Sequence, residues 1–326
     1  MSVTTTLAAC SQTVSANGPD GTVDAPSTLD DSIRYALSFV AQLRDTKAAI
    51  GANSDITALS ALASINGGQL AGMRNRLING NFAVNQRAVA GTVTLSAGAY
   101  GHDRWKAGAG GCTYTFAASG ADTIITVTAG SLMQVVESVN IEGGVYTLSQ
   151  AGTAQARIGV NGASPASGYV ALPIASASAT GGQTVTVEFT TGTVSKTQLE
   201  PGTVASVFER RHPGQEFALC QRYLPAVSAS AGQTVGTGVF FSATSFNLCI
   251  PFQVTSRGSP TGATISASNA LTIVTSGAAN PTTAISFGAA STQAAELYLT
   301  VAGVGGNGGL ARATGLISIL FTGCEL

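Results

Sequence analysis

Two histidines, two glutamates nine residues apart and a tryptophan preceded by an acid and a base are the residues in this chain whose types could do chemistry. His102 stands beside Asp103, and His212 follows Arg210 and Arg211. A serine nucleophile needs a histidine base oriented by a carboxylate, and the chain has no Gly-x-Ser-x-Gly elbow to hold one. Both histidines read as lone residues in turns. Glu200 and Glu209 have the residue types for glycoside hydrolysis, which sets its two carboxyl groups roughly 5–9.5 Å apart. Nine residues along one strand span roughly 30 Å, and the intervening turn leaves the separation open. Glu209 beside Arg210 and Arg211, and Glu216 near Arg222, read as ion pairs. Asp20, Asp24, Asp30 and Asp31 lack the spacing of a calcium-binding loop; a calcium ion on a loop further along stays open. Asp103-Arg104-Trp105 has two readings. Trp105 anchors a core with Asp103 and Arg104 ion-paired at its edge, or its ring stacks on a sugar while carboxylates accept the sugar hydroxyls. Trp105, Asp103 and Tyr169 are the candidate ligand-binding residues, with Tyr298 and Phe246 as further dispersed aromatics.

Five cysteines, Cys10, Cys112, Cys220, Cys249 and Cys324, are odd in number and form no Cys-x-x-Cys pair. They read as buried apolar thiols of a protein assembled in a reducing cytoplasm, not as a zinc site or a disulfide framework. The expectation is a chain with no catalytic residue, no metal and no cofactor.

Composition limits the partners. Only 10% of the residues are charged, against roughly 25% in ordinary globular proteins. The net charge is −1 and no run of Lys and Arg exists, which argues against nucleic acid. No apolar run approaches the roughly 20 residues of a membrane span, and the first residues lack the basic and apolar regions of a signal peptide. A lone subunit with so few charges risks poor solubility. Copies that cover one another relieve that risk, so a homotrimer is expected.

The elements that would position these residues are mostly strands. Residues 1–74 read as an extended Thr-, Ser- and Gly-rich arm, a helix over 29–47 opened by Ser27 or Thr28, and a narrow stalk. Ile33, Leu37 and Val40 make an apolar stripe on that helix, with Tyr35 and Phe39 beside it; the helix packs on its own domain, or the stripe docks onto sister copies or onto a larger particle. Short Thr- and Val-rich strands bounded by Gly or Ser follow at 112–117, 122–129, 132–139, 144–150, 153–160, 168–174 and 183–190. A further strand runs to Phe208, with a turn at Glu200-Pro201-Gly202. From Gln215 the spacing becomes helical, with Phe217, Cys220 or Gln221, and Leu224 on one apolar face. A second set of strands falls at 235–242, 246–254, 262–268, 270–276, 282–287, 294–302 and 314–321. The fold class is mainly β: an N-terminal arm and helix, then two antiparallel β-sandwich, jelly-roll-like domains over 75–213 and 214–326, joined by a short helix.

Residues 194–223 carry a longer pattern, K-x-Q-L-E-x-G-x-x-A-S-x-F-E-x-R followed by E-x-A-L-C-Q-R-Y. It resembles a pattern of bacteriophage tail-fibre and related virion proteins. Asn75-Arg76-Leu77-Ile78-Asn79-Gly80-Asn81-Phe82, then Gln86-Arg87 and Asp103-Arg104-Trp105, resembles the opening of the carbohydrate-binding-module-like jelly rolls in such fibres; His102 stands where a small residue is more usual. The segments around Gly18-Pro19-Asp20-Gly21 and around Ile250-Pro251-Phe252 resemble their N-terminal and C-terminal regions. The resemblance implies a virion protein assembled in the host cytoplasm and held to other virion proteins by its N-terminal region, a trimeric tail fibre binding a host surface polysaccharide. The alternatives are a capsid decoration, cement or collar protein, and a tail depolymerase.

Overall fold

Val185, Val187 and Phe189 show why the first part of the described chain forms a sheet. They alternate with Thr186 and Glu188, and all three are buried in a common apolar core, the period-two pattern of a strand, while Thr186 and Glu188 are buried on its other face. The computed structural model describes residues 33, 36, 38–40, 72–276, 278–301 and 308–326. The chain divides into two units, Met1–Leu62 and Ala63–Leu326. In the first, Ile33, Ala36, Ser38, Phe39 and Val40 are helical, Phe39 is buried, and Ile33 and Val40 are exposed. Leu37, the arm and the stalk lie outside the described residues.

In the second unit the chain is mainly β and antiparallel throughout, as the patterning predicts. Strands β1 (Val93–Leu95), β2 (Lys106–Ser119), β3 (Asp122–Val136), β4 (Tyr146–Ser149), β5 (Ala156–Gly159), β6 (Ile174–Ala175), β7 (Val185–Phe189), β8 (Gly192–Val194) and β9 (Gln198–Pro201) build the first module. One sheet runs β1-β2-β3-β7-β5 with β8 beside β3, and the other runs β6-β4-β9. Between them lie Trp105, Ile125, Leu132, Tyr146, Leu148 and Leu199. The strands expected at 122–129 and 132–139 are one strand, β3. Gly130 takes φ +72° opposite Cys112, where a Cβ would stand 2.1 Å from the Gly111 carbonyl oxygen, and the β2–β3 register shifts on either side of it, with the extra residue of β3 at Thr128. The bulge bends the strand without ending it.

Strands β10 (Ala226–Ala229), β11 (Thr234–Phe240), β12 (Ser245–Pro251), β13 (Gly262–Ile265), β14 (Leu271–Thr275), β15 (Ala278–Ala290), β16 (Ala294–Val301), β17 (Gly308–Ala313) and β18 (Ile317–Thr322) build the second module. Six of them close into a barrel, β11-β12-β16-β15-β14-β17, and β10-β18-β13 form a separate small sheet on the same core. The inward-facing positions of β17 are Ala311 and Ala313. A six-stranded barrel is narrow inside, so small side chains there let it close.

A helix, Pro213–Gln221, links the modules. His212 caps it by accepting the Gly214 N–H (3.3 Å), Pro213 fills the first turn, and Glu216 sits in that same turn, where the helix dipole favours an acid. Cys220, Gln221 and Leu224 are buried as predicted, whereas Phe217 is 43% exposed. The apolar face is thus narrower than the spacing suggests. The strand expected to run to Phe208 stops at Pro201, because the segment after it is held by side chains and not by a ladder.

Those side chains make one buried polar network. Asn75 accepts the N–H groups of Leu77 (3.0 Å) and Leu199 (3.1 Å) and donates to the Thr197 carbonyl (2.9 Å). Glu209 accepts the backbone N–H groups of Met73 and Asn75, and Gln198 accepts the N–H of Glu209 (2.6 Å) while donating to Glu200 (2.9 Å). Glu200 also takes the Ser206 N–H (2.7 Å), the Ser206 hydroxyl (2.6 Å) and Arg74 (3.0 Å). Gln134 closes both backbone groups of Ile78 at 2.8 Å. The pattern residues at both ends of the module therefore grip each other. Replacing Asn75 by Ala leaves two buried N–H groups without acceptors. Each such loss costs on the order of 1–3 kcal/mol; we expect Asn75→Ala to destabilise by about 3 kcal/mol, read as a lower urea midpoint at unchanged slope.

Candidate functional site

Trp105 and Asp103 have no face open to a ligand. The Trp105 ring is fully buried, packs on Phe82 at 4.8 Å between ring centres, and donates its indole N–H to the Asn79 carbonyl (2.9 Å). A sugar platform needs an exposed ring face, so Trp105 is a core anchor. Asp103 is buried and accepts the backbone N–H and side-chain amide of Gln86 (2.6 and 2.7 Å). Burial pushes its carboxyl above the ordinary range against the pull of those Gln86 hydrogen bonds. Asp103 and Arg104 are not ion-paired with each other. Arg104 lies over the Tyr223 ring at 3.6 Å and donates to the Val135 carbonyl (2.6 Å).

Tyr169 is different. It is half-buried, and its hydroxyl donates to Glu188 (3.0 Å). The Arg157 guanidinium lies 4.4 Å from its ring centre and pairs with Glu188 at 2.9 Å. Arg157 and Glu188 face each other across the β5–β7 ladder, and the Ser131 hydroxyl gives Glu188 a third donor (2.6 Å). Burial pushes the Glu188 carboxyl up, but hydrogen bonds from Arg157, Ser131 and Tyr169 outweigh it and hold the group below its usual value. An aromatic ring backed by a fixed cation and carboxylate can stack on a sugar and bond its hydroxyls. Sequence patterning gave no sign of Arg157, Glu188 or Ser131, since they join Tyr169 only through sheet register.

The other chemical candidates have structural partners. Glu200 and Glu209 meet through Gln198, as described above; burial raises the Glu200 carboxyl but bonds from Ser206, Gln198 and Arg74 bring it below its ordinary range. Arg210 pairs with Asp122 (2.7 Å), not with Glu209. Glu216 pairs with Arg211 (3.3 Å), and Arg222 pairs with Glu137 (3.2 Å), not with Glu216. The first turn of the helix points Glu216 back towards Arg211 and the Asn79 N–H. Cys112, Cys220 and Cys324 are buried, but Cys249 is exposed on the outer face of β12, which corrects its reading as a buried thiol. Among the described residues no group of three His, Cys, Asp or Glu side chains is placed to hold a metal, and no helix is long and apolar enough to cross a membrane.

Two hollows remain. A groove of about 1280 Å³ runs beside the linking helix between the modules, with Val84, Phe208, Phe217, Val227 and Leu316 on its walls. A second, of about 640 Å³, lies on the outside of the barrel. The last residues strap the modules together. Glu325 pairs with Arg87, the Leu326 carbonyl accepts Lys106 Nζ (2.8 Å) and the Tyr100 hydroxyl, and Arg257 donates to the Cys324 carbonyl (3.2 Å). No protein-family model and no curated protein matches this chain.

His102 offers a test of the packing around Trp105. It is buried, 4.6 Å edge-on from Phe116 and 3.0 Å from the Tyr114 hydroxyl, a core side chain on a residue that opens a turn, its carbonyl accepting the Trp105 N–H (2.9 Å). Burial lowers its pKa from 6.5 to about 4. The unfolded chain takes up that proton first, so stability falls as pH drops from 6.5 towards 4, by on the order of 3 kcal/mol. Asp103 and Glu325, raised by burial, work in the opposite sense. We expect the melting temperature of the wild type, minus that of His102→Gln, to decline through this window.

Proposed function

We propose that the chain is a non-enzymatic structural component of a bacteriophage virion, a trimeric tail fibre that binds a host surface glycan. In this reading the N-terminal region, with Ile33, Leu37 and Val40, holds it to other virion proteins, and the two β-modules project outwards. The observation that carries the reading is how little charge the second module has. From Leu224 onwards the sequence holds four charged residues, Arg257, Glu296, Arg312 and Glu325, while Val239, Phe241 and Tyr298 are exposed on or beside the barrel. Such a surface suits coverage by other copies.

The glycan contact in this proposal is the Tyr169–Arg157–Glu188 cluster, where a partly exposed aromatic ring is backed by a fixed cation and carboxylate. Tyr169→Ala should weaken binding to host polysaccharide at least tenfold, measured by titration calorimetry, and lose the block of phage adsorption to host cells. Its particle mass by light scattering should stay at three chains. Full binding by the variant would remove the cluster from the reading. Antibody label on the capsid or collar of intact virions, and not on the tail, would sink the fibre placement.

A further inference from the structure

We propose that copies of this chain meet through the outer walls of their barrels, with the outer face of β17 of one copy seated in the groove over β11, β12 and β16 of the next, and Arg312 paired with Glu296 across the contact. The inference rests on the trimer reading above and names its surface. Of the four charged residues after Leu224, two are spoken for. Arg257 pairs with Glu137 and Glu325 with Arg87. Glu296 on β16 and Arg312 on β17 are the two charged side chains of the six barrel strands, and neither makes an ion pair among the described residues. Arg312 is exposed. Glu296 is half-buried and oriented by the Asn247 amide (2.9 Å).

Ring order decides what they can do. Strands β16 and β17 are three steps apart in either direction round a ring of six, so they lie on opposite sides of the barrel. The two charges cannot meet within one copy. A lone cation and a lone anion on opposite walls of an uncharged body complement each other between copies. Because the matching patches are different, the contact is head-to-tail and not a two-fold one, and it gives the trimer of the reading above when successive copies turn by a third of a circle.

The wall between them fits an interface. Ladder register sets Leu310, Thr237, Cys249 and Glu296 in one row across β17, β11, β12 and β16, and Val239, Asn247 and Tyr298 in the next. The groove of about 640 Å³ opens on this wall, floored by Gly238 and bordered by Ala290, Ala294 and Glu296. Its small residues leave room for a side chain. Leu310 and Arg312 share the outer face of β17, two residues apart, both exposed. Seating Leu310 in the groove brings the neighbouring Arg312 to Glu296 at the rim, an apolar contact closed by a charge pair.

The test is charge reversal in the full chain, read by sedimentation. Arg312→Glu and Glu296→Arg should each raise the concentration for half-dissociation of the trimer at least tenfold at low salt, and the double reversal should recover it to within about threefold, as coupled charges do. Each variant is first matched to wild type by thermal melt. As an independent reading, Leu310→Cys should form a disulfide to native Cys249 of a neighbour on mild oxidation, giving linked chains that vanish in Leu310→Cys with Cys249→Ser. Within one copy the two positions are two strands apart, roughly 10 Å, too far to bridge. A stable trimer untouched by either reversal and giving no cross-link would overturn this interface and leave the trimer reading standing. A wild-type chain that sediments as a monomer would overturn both.

Discussion

The structure depends on keeping buried carboxylates supplied with donors. Glu200 and Glu209 are almost completely removed from water, and a bare carboxylate there would cost several kcal/mol. Backbone N–H groups of Met73, Asn75 and Ser206, the Ser206 hydroxyl, Arg74 and Gln198 meet that demand. In doing so they fix where the loop before β1 lies against β9. The Trp105 indole then has the Asn79 carbonyl to bond, and the core around it follows. Polar satisfaction here sets the register that the apolar residues fill.

Beyond this lock the molecule is sparing with charge and spends most of it on joints. Glu137 binds Arg222 and Arg257, Glu325 binds Arg87, and Asp122 binds Arg210. What is left for the outside of the barrel is a single acid and a single base. A surface so arranged has little to repel a copy of itself and one way to align with it. The same economy separates the Tyr169 cluster from the rest, because Arg157 and Glu188 form the one cross-strand ion pair beneath an accessible aromatic ring in the first module.

Much of the fold could be read from the sequence, and the failures have physical causes. Alternation along β12 and β16 gave strands with one inward face, and the change of period after Gln215 gave the linking helix. Strand β17, Gly308–Ala313, carries two glycines and two alanines and shows no apolar stripe, so nothing local marks it; it is a strand because the barrel needs a narrow wall there. Closure itself is non-local and leaves no periodic trace. Trp105 kept two readings because an indole that anchors a core and one that meets a ligand share the same neighbours in sequence. Arg157, Glu188 and Ser131 were invisible as a site, since ladder register and not spacing brings them to Tyr169.

The long reach of the Asn75–Glu209 bond has a consequence for synthesis. Its partners are 134 residues apart, and a ribosome adds roughly 5–20 residues per second. For about ten seconds after Asn75 emerges, its loop lacks both β9 and the acceptor that fastens it. The nascent first module therefore waits, unlatched, until the segment before the linking helix leaves the exit tunnel. Only then can it snap shut, which makes this stretch the step that a chaperone would most usefully guard.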